Sequence, residues 1–141
     1  MTRQSDHLTM PRTIAAVSLL VDDYDPAIRF YTQALRFDLL EDTLLAPGKR
    51  WVRVAPAGGG TALLLARAAT PEQQALVGGQ GAGRVWLFLQ TDDFDDELAH
   101  FRTHGVRLAE EPRREAYGRV VVFLDLYGNR WDLIEPTEAR S

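Results

Sequence analysis

Leu20-Val21-Asp22-Asp23-Tyr24-Asp25 is echoed further along the chain by Gln90-Thr91-Asp92-Asp93-Phe94-Asp95. Each copy closes an apolar run and opens an amphipathic stretch. After each copy the order is a helical segment, a short strand-like segment and a hairpin. A repeat of this length is two copies of one supersecondary unit, and each unit has an apolar face that it cannot bury alone.

Working outward from the first copy, Ile14 to Val21 reads as a strand. Val17, Leu19 and Val21 share one face; Ala16, Ser18 and Leu20 share the other. Asp25 is placed to cap a helix with Pro26 at its first position, where the missing N–H does no harm. Ala27, Ile28, Tyr31 and Leu35 continue at helical spacing. Phe37 to Leu45, Arg50 to Pro56 and Thr61 to Arg67 read as strands, the last two joined by the Ala57-Gly58-Gly59-Gly60 hairpin turn. The second copy follows suit. It has a strand at 84–91, a helix at 95–104 stopped by Gly105, a strand at 106–111, and a hairpin (119–125, 130–135) around Leu126-Tyr127-Gly128-Asn129. The expected class is α+β: two βαβββ repeats forming a curved, eight-stranded mixed sheet with a central cleft and helices outside. Residues 1–12 are a tail, and 13–136 one domain built from modules at about 13–67 and 84–136. The Gly-rich 68–83 segment is a linker or a lid.

Composition narrows the function. The chain of 141 residues has 45% hydrophobic and 26% charged residues, a soluble globular balance. It has no cysteine, which removes disulfides, thiolate metal sites and a cysteine nucleophile. A net charge of −4 argues against a nucleic-acid partner. No apolar run approaches the ~20 residues needed to span a bilayer, and no signal-peptide core is present. A cytoplasmic location is expected. Lys49 is the only lysine among 16 basic residues.

Strand alternation names the residues that face the cleft. Val17, Leu19, Val85, Leu87 and Leu89 suit the helix side, with Val52, Val54, Leu63, Leu65, Trp131 and Leu133. Trp51, Arg53, Trp86, Phe88, Gln90 and Asp132 are then turned into the cleft, beside small residues such as Ala16 and Ser18. An apolar, aromatic surface carrying a few placed polar groups has the character of a ligand pocket. A packed core would instead have to satisfy Arg53, Gln90 and Asp132 together, which is costly.

Three stretches resemble the vicinal oxygen chelate superfamily of glyoxalases, extradiol dioxygenases and bleomycin-resistance proteins: VDDYDPAIRFYTQALRFDLL, TDDFDDELAHFRTHGVRLAEEP and FLDLYGNRWDLIEP. In metal-dependent members the two halves supply four inward His, Gln or Glu ligands to a divalent cation. Carried over by resemblance, those positions fall on Ala16, Leu64, Trp86 and Asp132. A methyl, an isobutyl and an indole cannot ligate a cation, so no metal and no cofactor is expected. His100 and His104 lie four apart on the second helix, a spacing that suits zinc only with a third ligand near; a solvated helix face is the expectation. His7 lies in the tail.

The resemblance and the residues together imply a metal-independent binder of a planar or apolar small molecule. Trp51, Trp86 and Phe88 would stack on it, and Arg53, Gln90 and Asp132 would orient it. The alternative is a lyase, isomerase or dioxygenase with an atypical metal or acid–base site, in which Asp132 is catalytic. Asp132 paired with Arg53 or Arg119 is the blander outcome. A third possibility is an interaction module with a filled cleft. A homodimer is implied by resemblance, with the cleft inside one chain or across two.

Overall fold

The computed structural model describes residues 10–137. Most of the expected tail, with His7, lies outside the described residues. Both repeated segments start helices, two residues earlier than the Asp25 cap and one earlier than the 95–104 helix expected. Asp23 Oδ1 accepts from Tyr24 N at 2.8 Å, and Asp93 Oδ1 accepts from Asp96 N at 3.1 Å. Asp25 is drawn away instead by the Arg50 guanidinium, 2.9 Å from it.

In chain order the first module contains β1 (Ala16–Val21), α1 (Tyr24–Arg29), β2 (Phe37–Ala46), β3 (Lys49–Pro56) and β4 (Ala62–Arg67). α1 runs on into a wider π-turn, Phe30–Ala34, closed by Leu35 N donating to Phe30 O at 3.2 Å. The 68–83 segment holds α2 (Pro71–Leu76), with Thr70 as N-cap and Pro71 at its start. The second module contains β5 (Val85–Gln90), α3 (Phe94–Thr103), β6 (Arg107–Leu108), β7 (Arg113–Glu115), β8 (Gly118–Leu124) and β9 (Arg130–Pro136).

The strands divide into two mixed sheets. The first has the order β1-β4-β3-β2, with β1 parallel to β4. The second has β5-β9-β8-β6, with β5 parallel to β9. β6 and β7 pair with successive parts of β8, so together they occupy the place of β2 in the first module. The strand expected at 106–111 shrinks to β6; the chain then leaves the ladder, Glu110 accepting from Val122 N through Oε2 at 3.0 Å, and rejoins it beyond the expected span at β7.

β1 and β5 are edge strands of their sheets. An open edge leaves backbone donors and acceptors unpaired. On β1 the gap is closed by a side chain from the linker. Gln80 accepts from Leu20 N through Oε1 at 2.6 Å and donates from Nε2 to Ser18 O at 3.0 Å. Gln80 N is itself held by Asn129 Oδ1 at 3.0 Å.

The helix-facing sides of both sheets meet in one core. Leu19, Val52, Val54, Leu63 and Leu65 of the first module join Phe101, Val121, Phe123, Trp131 and Leu133 of the second. Tyr31 and Phe37 pack edge-on or tilted against Trp131 at centroid distances of 6.2 and 6.0 Å. Tyr31 Oη also donates to Asp125 Oδ2 at 2.7 Å, a buried bond joining the first helix to the β8–β9 turn. With the helix sides buried against each other, the opposite face of the first sheet is left partly open; on that of the second, Phe88 is exposed while Val120 and Val122 stay buried.

Candidate binding faces

Pairing register defines the open face of the first sheet. Ser18 lies beside Leu64, Leu64 beside Arg53 and Arg53 beside Glu41. Arg53 Nε meets Glu41 Oε1 at 3.1 Å. Trp51 follows on the same side of β3, beside Thr43, and is 40% exposed. Next to its indole is a cavity of about 790 Å³ with Leu64 and Ala66 in its floor, Leu45 and Gly48 on one rim, and Gln74 of α2 on the other. α2 is secured there by Gln74 Nε2 donating to Ala68 O at 3.0 Å and Ala69 N donating to Gln73 Oε1 at 2.7 Å. The 68–83 segment therefore supplies a wall as well as a connection.

On the second sheet, Phe88, Asp132 and Val122 form one row; Gln90, Ile134 and Val120 form the next. Phe88 is 66% exposed, unusual for a phenyl ring on a strand. Asp132 is half-buried, with its Oδ1 buried and without a hydrogen-bond partner. Burial pushes its carboxyl above the usual range; the nearby Arg113 pulls it down and Glu110 pushes it up. Arg113 is already engaged by Glu110, at 3.0 Å, and by Glu115. Asp132 pairs with neither Arg53 nor Arg119: Arg53 is held by Glu41, and Arg119 by Asp95 at 2.9 Å.

Five of the six residues named from alternation thus fall into two groups. Trp51 and Arg53 share the first open face, and Phe88, Gln90 and Asp132 share the second. The cavity beside Trp51 is built wholly from residues 24–74. Trp86 belongs to neither group. A bulge between Val85 and Leu87 breaks the alternation, and the Trp86 ring stands edge-on to Trp131 at 5.8 Å, against the core. Along the seam between the modules runs a crevice of about 580 Å³, lined by Val17, Leu63, Leu87, Phe88 and Trp131 among others.

The symmetry-related positions do not fit a cation. Ala16, Leu64 and Trp86 carry no oxygen or imidazole donor, which leaves Asp132 alone. Among the described residues no group of three or more His, Asp or Glu is arranged to hold a metal. The two helix histidines have other work. His100 Nε2 meets Gln33 O at 2.8 Å, tying α3 to the end of the first helical stretch, and His104 Nδ1 meets His100 O at 3.1 Å. No helix among the described residues is long and apolar enough to cross a membrane.

Sequence reasoning missed Lys49, Arg67 and Gln74 around the first cavity, and Glu110 and Arg113 beside Asp132. The α2 wall had a legible signal in Thr70-Pro71-Glu72-Gln73, a cap followed by proline.

Two sheets of this topology, each with one helical stretch inserted after its first strand, define a paired βαβββ protein. Residues 13–133 match the family described as the Glyoxalase/Bleomycin resistance protein/Dioxygenase superfamily, and the chain belongs to it. An uncharacterized protein of Shewanella frigidimarina (strain NCIMB 400) is 49% identical over 128 residues, covering 89% of this chain and 95% of its own. Among solved structures, TnmS3, an antibiotic binding protein from Streptomyces sp. CB03234, is 32% identical with a TM-score of 0.75, covering 91% of this chain and 98% of its own. A glyoxalase/bleomycin resistance protein from the same Streptomyces is 34% identical with a TM-score of 0.69, covering 86% and 99%.

Proposed function

We propose that the protein binds a planar or apolar small molecule without a metal, between open faces brought together in a homodimer. The observation that carries the reading is the replacement of ligand chemistry by hydrophobic surface. Ala16, Leu64 and Trp86 stand where cation donors would be, while Trp51 and Phe88 present exposed rings on open faces. The likeness to an antibiotic binding protein supports the ligand class. The homodimer is supported by geometry. One chain offers two separate walls, and the edge strand β2 carries exposed Leu39, Leu44 and Leu45. A second copy closing over these surfaces would bury them and complete the clefts.

Titrating planar antibiotics while following tryptophan emission tests the reading. Saturable quenching is expected, weakened in Trp51→Leu. No response across a broad planar panel would overturn it.

A second reading rests on Asp132. Its buried, unpartnered oxygen and raised proton affinity are what an acid–base group of a lyase or isomerase would have. Stoichiometric Mn, Fe, Ni or Zn retained after dialysis, or turnover abolished in Asp132→Asn, would favour it over binding alone.

A further inference from the structure

The cavity beside Trp51 has a charge unlike that of the molecule around it. The chain carries a net −4, yet three cationic residues line this cavity and no acidic one does. Of the three, Arg50 is neutralised by Asp25 at 2.9 Å and by Asp42 at 2.7 Å. Arg67 has no carboxylate partner among the described ion pairs; its Nη1 makes a long 3.4 Å contact to Gly48 O. Lys49, the chain's one lysine, opens β3 at the same rim. The crevice along the seam offers a contrast, since it is lined by no charged residue at all.

We infer that this cavity selects an aromatic anion, a flat ring system bearing a carboxylate or an ionised phenol. The inference rests on the binding function proposed above and adds the charge of the ligand. The ring would lie against the Trp51 indole over Leu64 and Ala66, surfaces that give stacking and burial but no polar specificity. The acidic substituent would point to the rim, where Arg67 and Lys49 can donate charge-assisted hydrogen bonds. Arg67 is suited to this because a guanidinium meets carboxylate oxygens in a fixed fork. A cationic ring system would meet two uncompensated positive charges and be rejected. Gln74, the polar group on the opposite rim, already donates to Ala68 O.

The test uses the full-length protein and an isosteric series: 2-naphthoate, 2-naphthamide and 2-naphthylmethylammonium, followed by tryptophan emission and calorimetry. The carboxylate is expected to bind about tenfold tighter than the amide, the size of one charge-assisted hydrogen bond in a partly exposed site. The ammonium is expected to bind more weakly than the amide. In Arg67→Gln the preference for carboxylate over amide should fall several-fold while amide affinity is retained, which separates loss of charge recognition from loss of folding. Because Lys49 is the only ε-amine, its acetylation read by mass spectrometry gives an independent signal, and naphthoate should protect it where naphthamide does not. Equal binding of carboxylate and amide, or an unchanged preference in Arg67→Gln, would overturn the inference and leave the binding function standing. If no member binds while other planar compounds do, this inference alone fails; if nothing planar binds, both fail.

Discussion

Replacing Tyr31 by phenylalanine removes one buried hydroxyl and probes how the two modules are joined. Tyr31 Oη donates to Asp125 Oδ2 at 2.7 Å, and both residues are buried. Oδ2 also accepts from Asn129 Nδ2 at 3.0 Å, while Oδ1 accepts from Tyr127 N and Asn129 N, each at 2.9 Å. The carboxylate therefore keeps three of its four donors in the variant. The loss is one hydrogen bond to a charged group, about 2 kcal/mol, rather than the larger penalty of a stranded buried charge. With an m-value of about 2 kcal/mol/M, the urea midpoint should fall by about 1 M with little change in m. Asp125→Ala should cost more, because four donors then lose their acceptor.

The same bond predicts a dependence on alkaline pH. Burial, then the Asp125 charge and hydrogen bond, hold the Tyr31 hydroxyl well above its ordinary range. The unfolded chain releases this proton near pH 10. Above about pH 10 the unfolded state therefore binds fewer protons than the native one, and stability falls with rising pH by about 1.4 kcal/mol per unit for this group. Tyr31→Phe lacks that loss, so its deficit against the parent should be full at pH 7 to 9 and narrow above pH 10. Tyr127, also raised, contributes the same trend in both proteins. Urea titrations at pH 7, 9 and 11 measure this directly. A variant within about 0.5 kcal/mol of the parent at pH 7, or a gap that does not change with pH, would refute the reasoning.

Three further outcomes follow from named contacts. Asp132→Asn should leave the protein at least as stable as the parent at pH 7. Because the native carboxyl binds its proton more tightly than the unfolded one, its contribution is complete below about pH 4 and is lost as pH rises through the raised native value, so melting curves of the two should diverge over that window. Gln80→Leu removes both hydrogen bonds to the β1 edge, and amide exchange at Leu20 should accelerate by about an order of magnitude if the linker side chain protects that edge; unchanged protection would show that the edge is guarded otherwise. Gly78→Ala should be destabilising by more than about 1 kcal/mol, since φ is +86° and an added Cβ would fall 2.1 Å from Tyr127 O, and thermal melting reads it.

The repeat made the fold legible because its phase governs several independent signals at once. Asp23 and Asp93 start equivalent helices, Gly105 ends the second with φ +71°, and the two hairpins fall where glycine-rich or Gly-Asn turns placed them. The buried faces were legible for a related reason: Leu19, Val52, Leu63, Leu65 and Leu133 alternate along strands with one side packed. Trp86 was not, because a bulge is a property of pairing between β5 and β9 and leaves no mark in the local sequence. Nor could alternation say that Trp51 and Asp132 occupy different surfaces. It assigns side chains to a face of a strand, and how two modules dock depends on contacts such as Tyr31 with Asp125, far apart in sequence.

Calorimetric titration of the EDTA-dialysed protein with a planar ligand found in the fluorescence screen addresses the central claim most directly. The account predicts saturable binding that is unchanged when Mn, Ni or Zn is restored. Binding that appears only after a divalent cation is added would contradict it.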